Sequence, residues 1–482
     1  MAARASVLLV LLAVPASAAS WDTILPLTDN PQNQSLGYGY QRSVAVDPVG
    51  NVHVVWLDQR TTPNQLWHRR FDRAAGSWLP ETMLTNRSAS CSPPGVACDA
   101  QGNVHVIWHL AAYPYGIWYK RFDAGTGRWQ PDFLLDSATT ELQKLFPSVA
   151  CRPGSRVVHV AWYGHSGSSV YYSVFHREFK PDSGWRRTEQ VSTEDVQRDQ
   201  ASLAADSAGN ICVVWCGYDS GGAYPQVVCR RRVNGVWQPV EIVSDMPDRA
   251  TQFAPCVAAG PGGVWHFVWH GRTSQEMFQH VRYRNRSLSG WTDIAVVSDL
   301  PDRQQESPSI WCRRGGDCHV VWRGQSRSSN VYQLFYARRE PNGFWTTPVQ
   351  LTQRSSGNVS RPAITADSDT CLHAVWHDAS SGDQDVYYLR GHERGTWLTE
   401  APSCPNSAVS LLPNPVAGRF CRILCPEGSL IRVSDASGRV LIAAAAGPEF
   451  TLDCRGLDSG VYFVEVEYGA RAEVRKLVKP SP

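Results

Sequence analysis

The sequence predicts an all-β chain: a seven-bladed β-propeller of four-stranded blades, followed by a small Ig-like β-sandwich. Three observations predict it. A seven-fold repeat runs through most of the chain. Each copy divides into four short runs of β-branched and aromatic residues bounded by Gly, Asp, Asn and Ser. No stretch keeps a sustained helical period.

Composition narrows the possible functions. The chain has 482 residues with 46 basic against 44 acidic, a net charge of +2, so it offers no field for nucleic acid. With 43% hydrophobic and 10% aromatic residues, it is not a disordered chain. The 19 tryptophans are the outlier, and the repeat accounts for most of them.

The N-terminus, residues 1–18, reads as an export signal. Arg4 gives the positive region, Val7 to Val14 a short apolar run, and Ala16-Ser17-Ala18 a small-x-small cleavage site. No later run approaches the length of a membrane-spanning helix.

The propeller is expected over residues 21–400. Its marker is His-Val-Val-Trp, ending at Trp56, Trp108, Trp162, Trp215, Trp269, Trp322 and Trp376, in steps of 52 to 54 residues. A second tryptophan follows each by 21 to 23 residues, at Trp78, Trp129, Trp185, Trp237, Trp291, Trp345 and Trp397. Strand A precedes the marker, often after a proline, as in Pro147-Ser-Val-Ala and Pro362-Ala-Ile-Thr. Strand B is the marker itself, apolar on both faces, which suits a sheet sandwiched between two others. Strand C is aromatic and basic, as in Trp118-Tyr-Lys-Arg-Phe, and strand D opens at the second tryptophan. Trp21 to Thr28 matches strand D yet precedes any strand A, whereas the segment after Trp397 departs from the pattern at Ser403 and Cys404. The first segment is therefore expected to complete the last blade and close the ring.

Fourteen cysteines in an exported chain could pair. Cys98, Cys151 and Cys312 fill a small strand-A slot that Ala205 and Ala366 fill elsewhere, so they read as buried packing residues. Cys312 and Cys318 flank a Gly-Gly turn and could bridge neighbouring strands. Zinc spacing is absent, because Cys421-x3-Cys425 lacks a second pair. The recurring His53, His105, His159, His266, His319 and His373 stand apart around the ring, and each is expected to bond backbone within its own blade rather than hold a metal.

Residues 401–412 read as a linker and 413–482 as the sandwich. That tail resembles the type A C-terminal sorting domain of type IX secretion substrates. The resemblance rests on Pro413-Asn414-Pro415, Gly438-Arg439, Leu457-Asp-Ser-Gly460-Val-Tyr462 and Lys476-Leu-Val-Lys479. It implies engagement of outer-membrane secretion machinery, removal of the tail, and delivery to the cell surface or the medium.

The ring resembles the sialidase-like, or BNR-like, propellers. Their Asp-box turn between strands C and D appears here in degraded form, with Asp72 and Gly76 before Trp78, Asp123 and Gly127 before Trp129, and Asp182 before Trp185. Known sialidases of this type have six blades, and their Arg-Ile-Pro signature is missing here. Sialidase chemistry would need an arginine clamp on a carboxylate, a tyrosine nucleophile paired with a glutamate, and an acid/base aspartate. Arg42, Arg198, Arg361, Tyr218, Tyr224, Glu306, Asp199 and Asp378 could serve such roles.

The loops before strand A and after strand B should form one ligand face, where many blades converge near the ring axis. They also hold Tyr113, Tyr115, His165, Arg272, Arg323 and His377. The ligand-binding set expected there is Arg42, Tyr218, Glu306, Arg361 and Asp378, with no catalytic residue assigned. The expected function is a monomeric, secreted or surface propeller that binds extracellular glycan or protein; the alternative is an exo-sialidase-type hydrolase. No cofactor or metal is expected; the carboxylate-rich Asp378-Ala-Ser-Ser-Gly382-Asp-Gln-Asp385 is the candidate for calcium, without the EF-hand spacing.

Overall fold

The computed structural model describes residues 19–111, 115–137, 143–167, 169–193, 196–218, 224–246, 248, 250–367, 371–392, 409–412, 420–435, 440–458, 460–468 and 471–479. The proposed signal segment, Tyr113, Trp397, Pro413, Asn414, Pro415, Gly438 and Arg439 lie outside these. The chain divides into two compact units, Met1–Glu393 and Arg394–Pro482.

Among the described residues the first unit holds seven antiparallel sheets and only one short 3-10 turn. The third sheet is representative. Lys144–Cys151 pairs with Val158–His165, which pairs with Tyr172–Lys180, which pairs with Gly184–Trp185 and Glu189–Gln190. The outermost strand is split in this way in six of the seven sheets, all but the sixth.

The seventh sheet contains Ser360–Ala366, Cys371–Asp378 and Asp385–His392. Its outer positions are filled from the other end of the unit. Ser20–Trp21 pairs with Gly391 and His392, and Leu25–Pro26 pairs with Tyr387 and Tyr388. Leu27 N then donates to Val386 O at 2.7 Å, and Thr28 Oγ1 to the Asp385 carboxylate at 3.0 Å.

Each strand-B tryptophan of the marker is fully buried, the largest buried side chains of the unit. They sit in apolar clusters shared by consecutive sheets. Val104, Val106 and Trp108 of the second sheet pack with Val55, Leu57 and Leu66 of the first. The series returns on itself: Leu27, Val375, Val386 and Tyr388 of the seventh sheet pack with Val44, Val54 and Trp56 of the first. A sheet apolar on both faces is stable only with a neighbour on each side, and this cyclic order provides one for every sheet.

The recurring histidines bond within their own sheet, but to side chains rather than backbone. His105 Nδ1 lies 2.7 Å from Tyr119 Oη, and His266, His319 and His373 pair likewise with Tyr283, Tyr336 and Tyr388. His53 and His159 meet His68 and His176. The partner lies on strand C, so the pair ties strands B and C together in the buried interior. Cys312 and Cys318 are joined in a disulfide, whereas Cys98 and Cys151 are free and half-buried.

In the second unit, Ser410–Leu412, Phe420–Leu424 and Glu449–Asp453 form one sheet, and Val440–Ala446, Ser429–Asp435, Gly460–Tyr468 and Arg471–Lys479 another. Cys421, Ile423 and Leu452 of the first share a core with Ile431, Val433, Val464 and Val466 of the second. Tyr462 Oη donates to Asp458 O at 2.8 Å, and Lys479 Nζ donates to Cys454 O at 2.7 Å, fixing the turn before Gly460 to the last strand. Lys476 pairs in register with Phe463.

Candidate ligand-binding mouth

The strands A begin, and the strands B end, on one face of the sheets. Here strand A is irregular in five sheets. The register slips just before Ser148, Ser202, Cys256, Ser309 and Ala363. The residues at the slip, Phe146, Gln200, Ala254, Ser307 and Arg361, all have positive φ, between 41° and 55°. A left-handed residue in a strand makes a bulge that re-aims its side chain, and four of these five precede a proline. The bulged backbone is held from the preceding sheet. Phe146 N donates to His109 Nδ1 at 3.1 Å, and Ser307 N to His270 Nδ1 at 3.2 Å. Leu36 N donates to His377 Nδ1 in the same way, at 3.1 Å. Burial drives His109 and His377 down to about 3 and His270 to about 4, so each ring stays neutral and accepts.

In the first sheet the bulge is replaced by a longer excursion, residues 37–43. Ser148 Oγ donates to Tyr40 O at 2.9 Å, and Gln41 Nε2 reaches Pro93 O and Pro147 O at 3.2 and 3.3 Å. Arg42 donates to Val257 O and lies 5.8 Å from the Trp311 ring. Gly39 sits so close that a Cβ there would fall 2.9 Å from Pro308 O and 3.1 Å from Pro362 O. One segment thus touches the inner strands of the second, third, fifth, sixth and seventh sheets, and occupies the axis that they surround.

Above it runs a chain of aromatic contacts. Tyr40 stacks on Tyr38 with centroids 5.3 Å apart. Tyr38 meets Phe146 edge-on at 5.6 Å, and Phe146 stacks on Tyr163 at 5.8 Å. Tyr163 leads to Tyr172 at 5.5 Å, and Tyr172 to His165 at 4.6 Å. Arg361 lies 4.1 Å over the Tyr38 ring and donates to Leu36 O at 2.9 Å. Asp199 pairs in register with Cys216 on the same rim. Burial raises its carboxyl to about 6, against the lowering hydrogen bond of Cys216. Across the face, Glu306 accepts from Arg323 at 2.6 Å, and Arg323 lies 4.7 Å from the Tyr332 ring. Burial, then the Glu306 charge, raises the Tyr332 phenol above its ordinary value.

The five residues expected in the binding set take different places. Arg361 and Glu306 stand half-buried on the mouth, and Tyr218 is exposed beside it, its carbonyl accepting from Arg198. Arg42 is buried in the axial segment with its guanidinium on a backbone carbonyl. Asp378 is buried and accepts from Trp376 Nε1 at 2.8 Å, Arg354 Nε at 3.0 Å and Ser380 N at 3.0 Å. Asp385, its companion in the loop considered for calcium, accepts instead from Thr28 and Ser381. The two carboxylates serve separate partners. Tyr38, Phe146 and Tyr172 were missing from the sequence-based set. The x-Pro step before strand A and the Gly-Tyr-Gly-Tyr run were the signals that could have found the first two.

The fold and site together define an exported all-β protein of propeller-like architecture with an aromatic-lined face. Residues 410–480 match the family described as the secretion system C-terminal sorting domain, so the chain carries that domain and is exported to the cell surface or the medium. Among solved structures, the polysaccharide lyase Uly1 has a TM-score of 0.51 at 10% identity, over 76% of this chain and 93% of that one. A PL25 ulvan lyase bound to -[GlcA(1-4)Rha3S]- has a TM-score of 0.53 at 10% identity, over 75% and 94%. A Hadza microbial sialidase, Hz136, has a TM-score of 0.44 at 11% identity, over 70% and 73%. The two lyases share the fold with this chain. Among curated proteins, the voltage-gated inwardly rectifying potassium channel KCNH2 of Oryctolagus cuniculus is 28% identical over 215 residues, 42% of this chain. The chain spans only 17% of the length of that relative. No described helix is long and apolar enough to cross a membrane.

Proposed function

We propose that the seven sheets are the blades of a seven-bladed β-propeller, closed by the Trp21 strand, and that its mouth binds a glycan or an extended protein segment outside the cell. Residues 1–18 are then the signal peptide, 401–412 a linker and 413–482 an Ig-like sorting sandwich. The observation that carries this reading is the set of half-buried rings Tyr38, Phe146, Tyr172 and His165, linked through the buried Tyr40 and Tyr163, with Arg361 laid on Tyr38. Half-buried rings offer apolar contact to sugars, and the guanidinium laid over Tyr38 favours a carboxylated or sulfated one. The test is a glycan-array screen of the mature protein that includes sulfated uronate oligosaccharides and sialosides, followed by calorimetry. Binding that survives Tyr38→Ala and Phe146→Ala would place the ligand elsewhere.

A second reading, a sialidase-type glycoside hydrolase, is favoured by Glu306, Tyr332 and Arg323 meeting on the same face. A glutamate beside a tyrosine is the pairing such a nucleophile needs. A fluorogenic sialoside separates the readings: turnover lost in Tyr332→Phe supports the hydrolase, and no turnover removes it.

A further inference from the structure

We propose that the Cys312–Cys318 bridge is also a latent metal site, which takes up one zinc ion with His266 when the bridge is reduced. The coordinating atoms of the three side chains lie within 4.8 Å of one another, and all three residues are buried. The two sulfurs come from directly opposed positions on strands A and B of the sixth sheet, and the imidazole comes from strand B of the fifth. Tetrahedral zinc with sulfur at about 2.3 Å and nitrogen at about 2.0 Å holds its ligands roughly 3.5–3.8 Å apart, so a small inward movement completes the set. Three protein ligands leave the fourth position for water.

The fifth sheet departs from its relatives in the way such a site needs. In the first, second and seventh sheets the turn after strand A places Asp47, Asp99 or Asp367 against the histidine Nε2, at 3.5, 3.3 and 3.9 Å. The equivalent position here is Gly260, where even a Cβ would fall 2.4 Å from His266 Nε2. The carboxylate is gone, and Nε2 is left as the ligand nitrogen. Nδ1 is held by Tyr283 Oη at 2.7 Å, and that hydroxyl accepts from Asn285 Nδ2 at 3.0 Å. A second-layer hydrogen bond on the far nitrogen is the usual means of orienting a metal-binding histidine. Reduction by a phosphine takes two electrons from phosphorus and two protons from water, giving two thiols and the phosphine oxide. Zinc binding then releases both thiol protons, since the thiolate is the ligand.

The test uses the full exported chain in two states, as purified and after phosphine reduction with the phosphine removed under nitrogen. Each is titrated with Zn²⁺ against a chromophoric chelator and with Co²⁺ by absorption. The reduced protein is expected to bind one more equivalent than the oxidised protein, with a sulfur-to-cobalt charge-transfer band. The eleven other described cysteines are free, so their uptake is common to both states and cancels in the comparison. His266→Ala, checked for an unchanged melting temperature, is expected to weaken the added equivalent at least tenfold. Equal uptake by both states, or an added equivalent indifferent to His266→Ala, overturns the proposal. The comparison of states in the unmutated protein stands even if the variant fails to fold.

Discussion

Truncating Leu27 tests ring closure through a single side chain. Leu25 and Leu27 lie two residues apart on the N-terminal segment, yet Leu25 is 39% exposed and Leu27 only 1%. Leu27 packs among Val375, Val386 and Tyr388 of the seventh sheet and Val44, Val54 and Trp56 of the first. Leu27→Ala removes a fully buried isobutyl group from the cluster that joins the two ends of the unit. Such truncations cost about 3 kcal/mol, within a usual range of roughly 2–5. Leu25→Ala, on the solvent side, should cost under about 0.5 kcal/mol. For a unit of roughly 370 residues, with an unfolding entropy near 2.1 cal/mol/K per residue, 3 kcal/mol lowers the melting temperature by about 4 °C. Urea unfolding followed by tryptophan fluorescence, with calorimetry alongside, measures both variants. Equal, small effects for the two would refute the closure, because they would mean that the segment contributes no buried strand.

Four further outcomes are expected. Removal of residues 410–482 should hold the protein in the periplasm while leaving the melting transition of the first unit unchanged, as fractionation and calorimetry would register. Gly39→Val should destabilise the ring by several °C in a thermal scan, since its side chain would collide with the carbonyls of Pro308 and Pro362. Tyr38→Ala should weaken the glycan found by the array roughly tenfold, because an aromatic contact contributes about 0.5–1.5 kcal/mol beyond its area. Acid should destabilise the first unit through the mouth histidines. Their folded pKa values, about 3 for His109 and His377 and about 4 for His270, lie below the ordinary 6.5. The unfolded chain therefore binds more protons, and their contribution is complete above pH 6.5 and lost as pH falls toward about 3. Asp199, raised to about 6, opposes this between pH 6 and 4, and His377→Gln should flatten the fall in urea midpoint.

What the sequence disclosed follows from how much each position is constrained by burial. The strand-B tryptophans stand in every copy because each fills the same gap between two sheets, so spacing alone located them. The extra strand-D match at Trp21 stood out for the same reason: a tryptophan there packs edge-on against Tyr336 at 5.0 Å, as Trp345 packs against Tyr283 at 5.1 Å. At the mouth the bulge recurs but the side chain standing on it does not, being Phe146, Gln200, Ala254, Ser307 or Arg361. The mouth residues are positioned by left-handed backbone at Phe146 and Arg361, and hydrophobic patterning is blind to the sign of φ.

The misplaced candidates show the converse limit. Asp378 and Arg42 were read as mouth residues from loop position and charge. Each proves buried, Asp378 beneath Trp376, Arg354 and Ser380, and Arg42 against the carbonyl of Val257. A charged residue in a short loop beside packed inner strands meets buried partners before it meets solvent, a backbone carbonyl for Arg42 and an indole N–H for Asp378, and burying it there is tolerable only because those partners exist. Arg361 escapes this fate because it sits at the slip itself, one residue before Pro362, where the bulge lifts it onto Tyr38. On the proposed reading, recognition at this face is set by the bulges and the axial segment. Substitutions that straighten a bulge, such as Pro147→Ala with Phe146→Val, should disturb binding more than removal of any one charge in the surrounding loops.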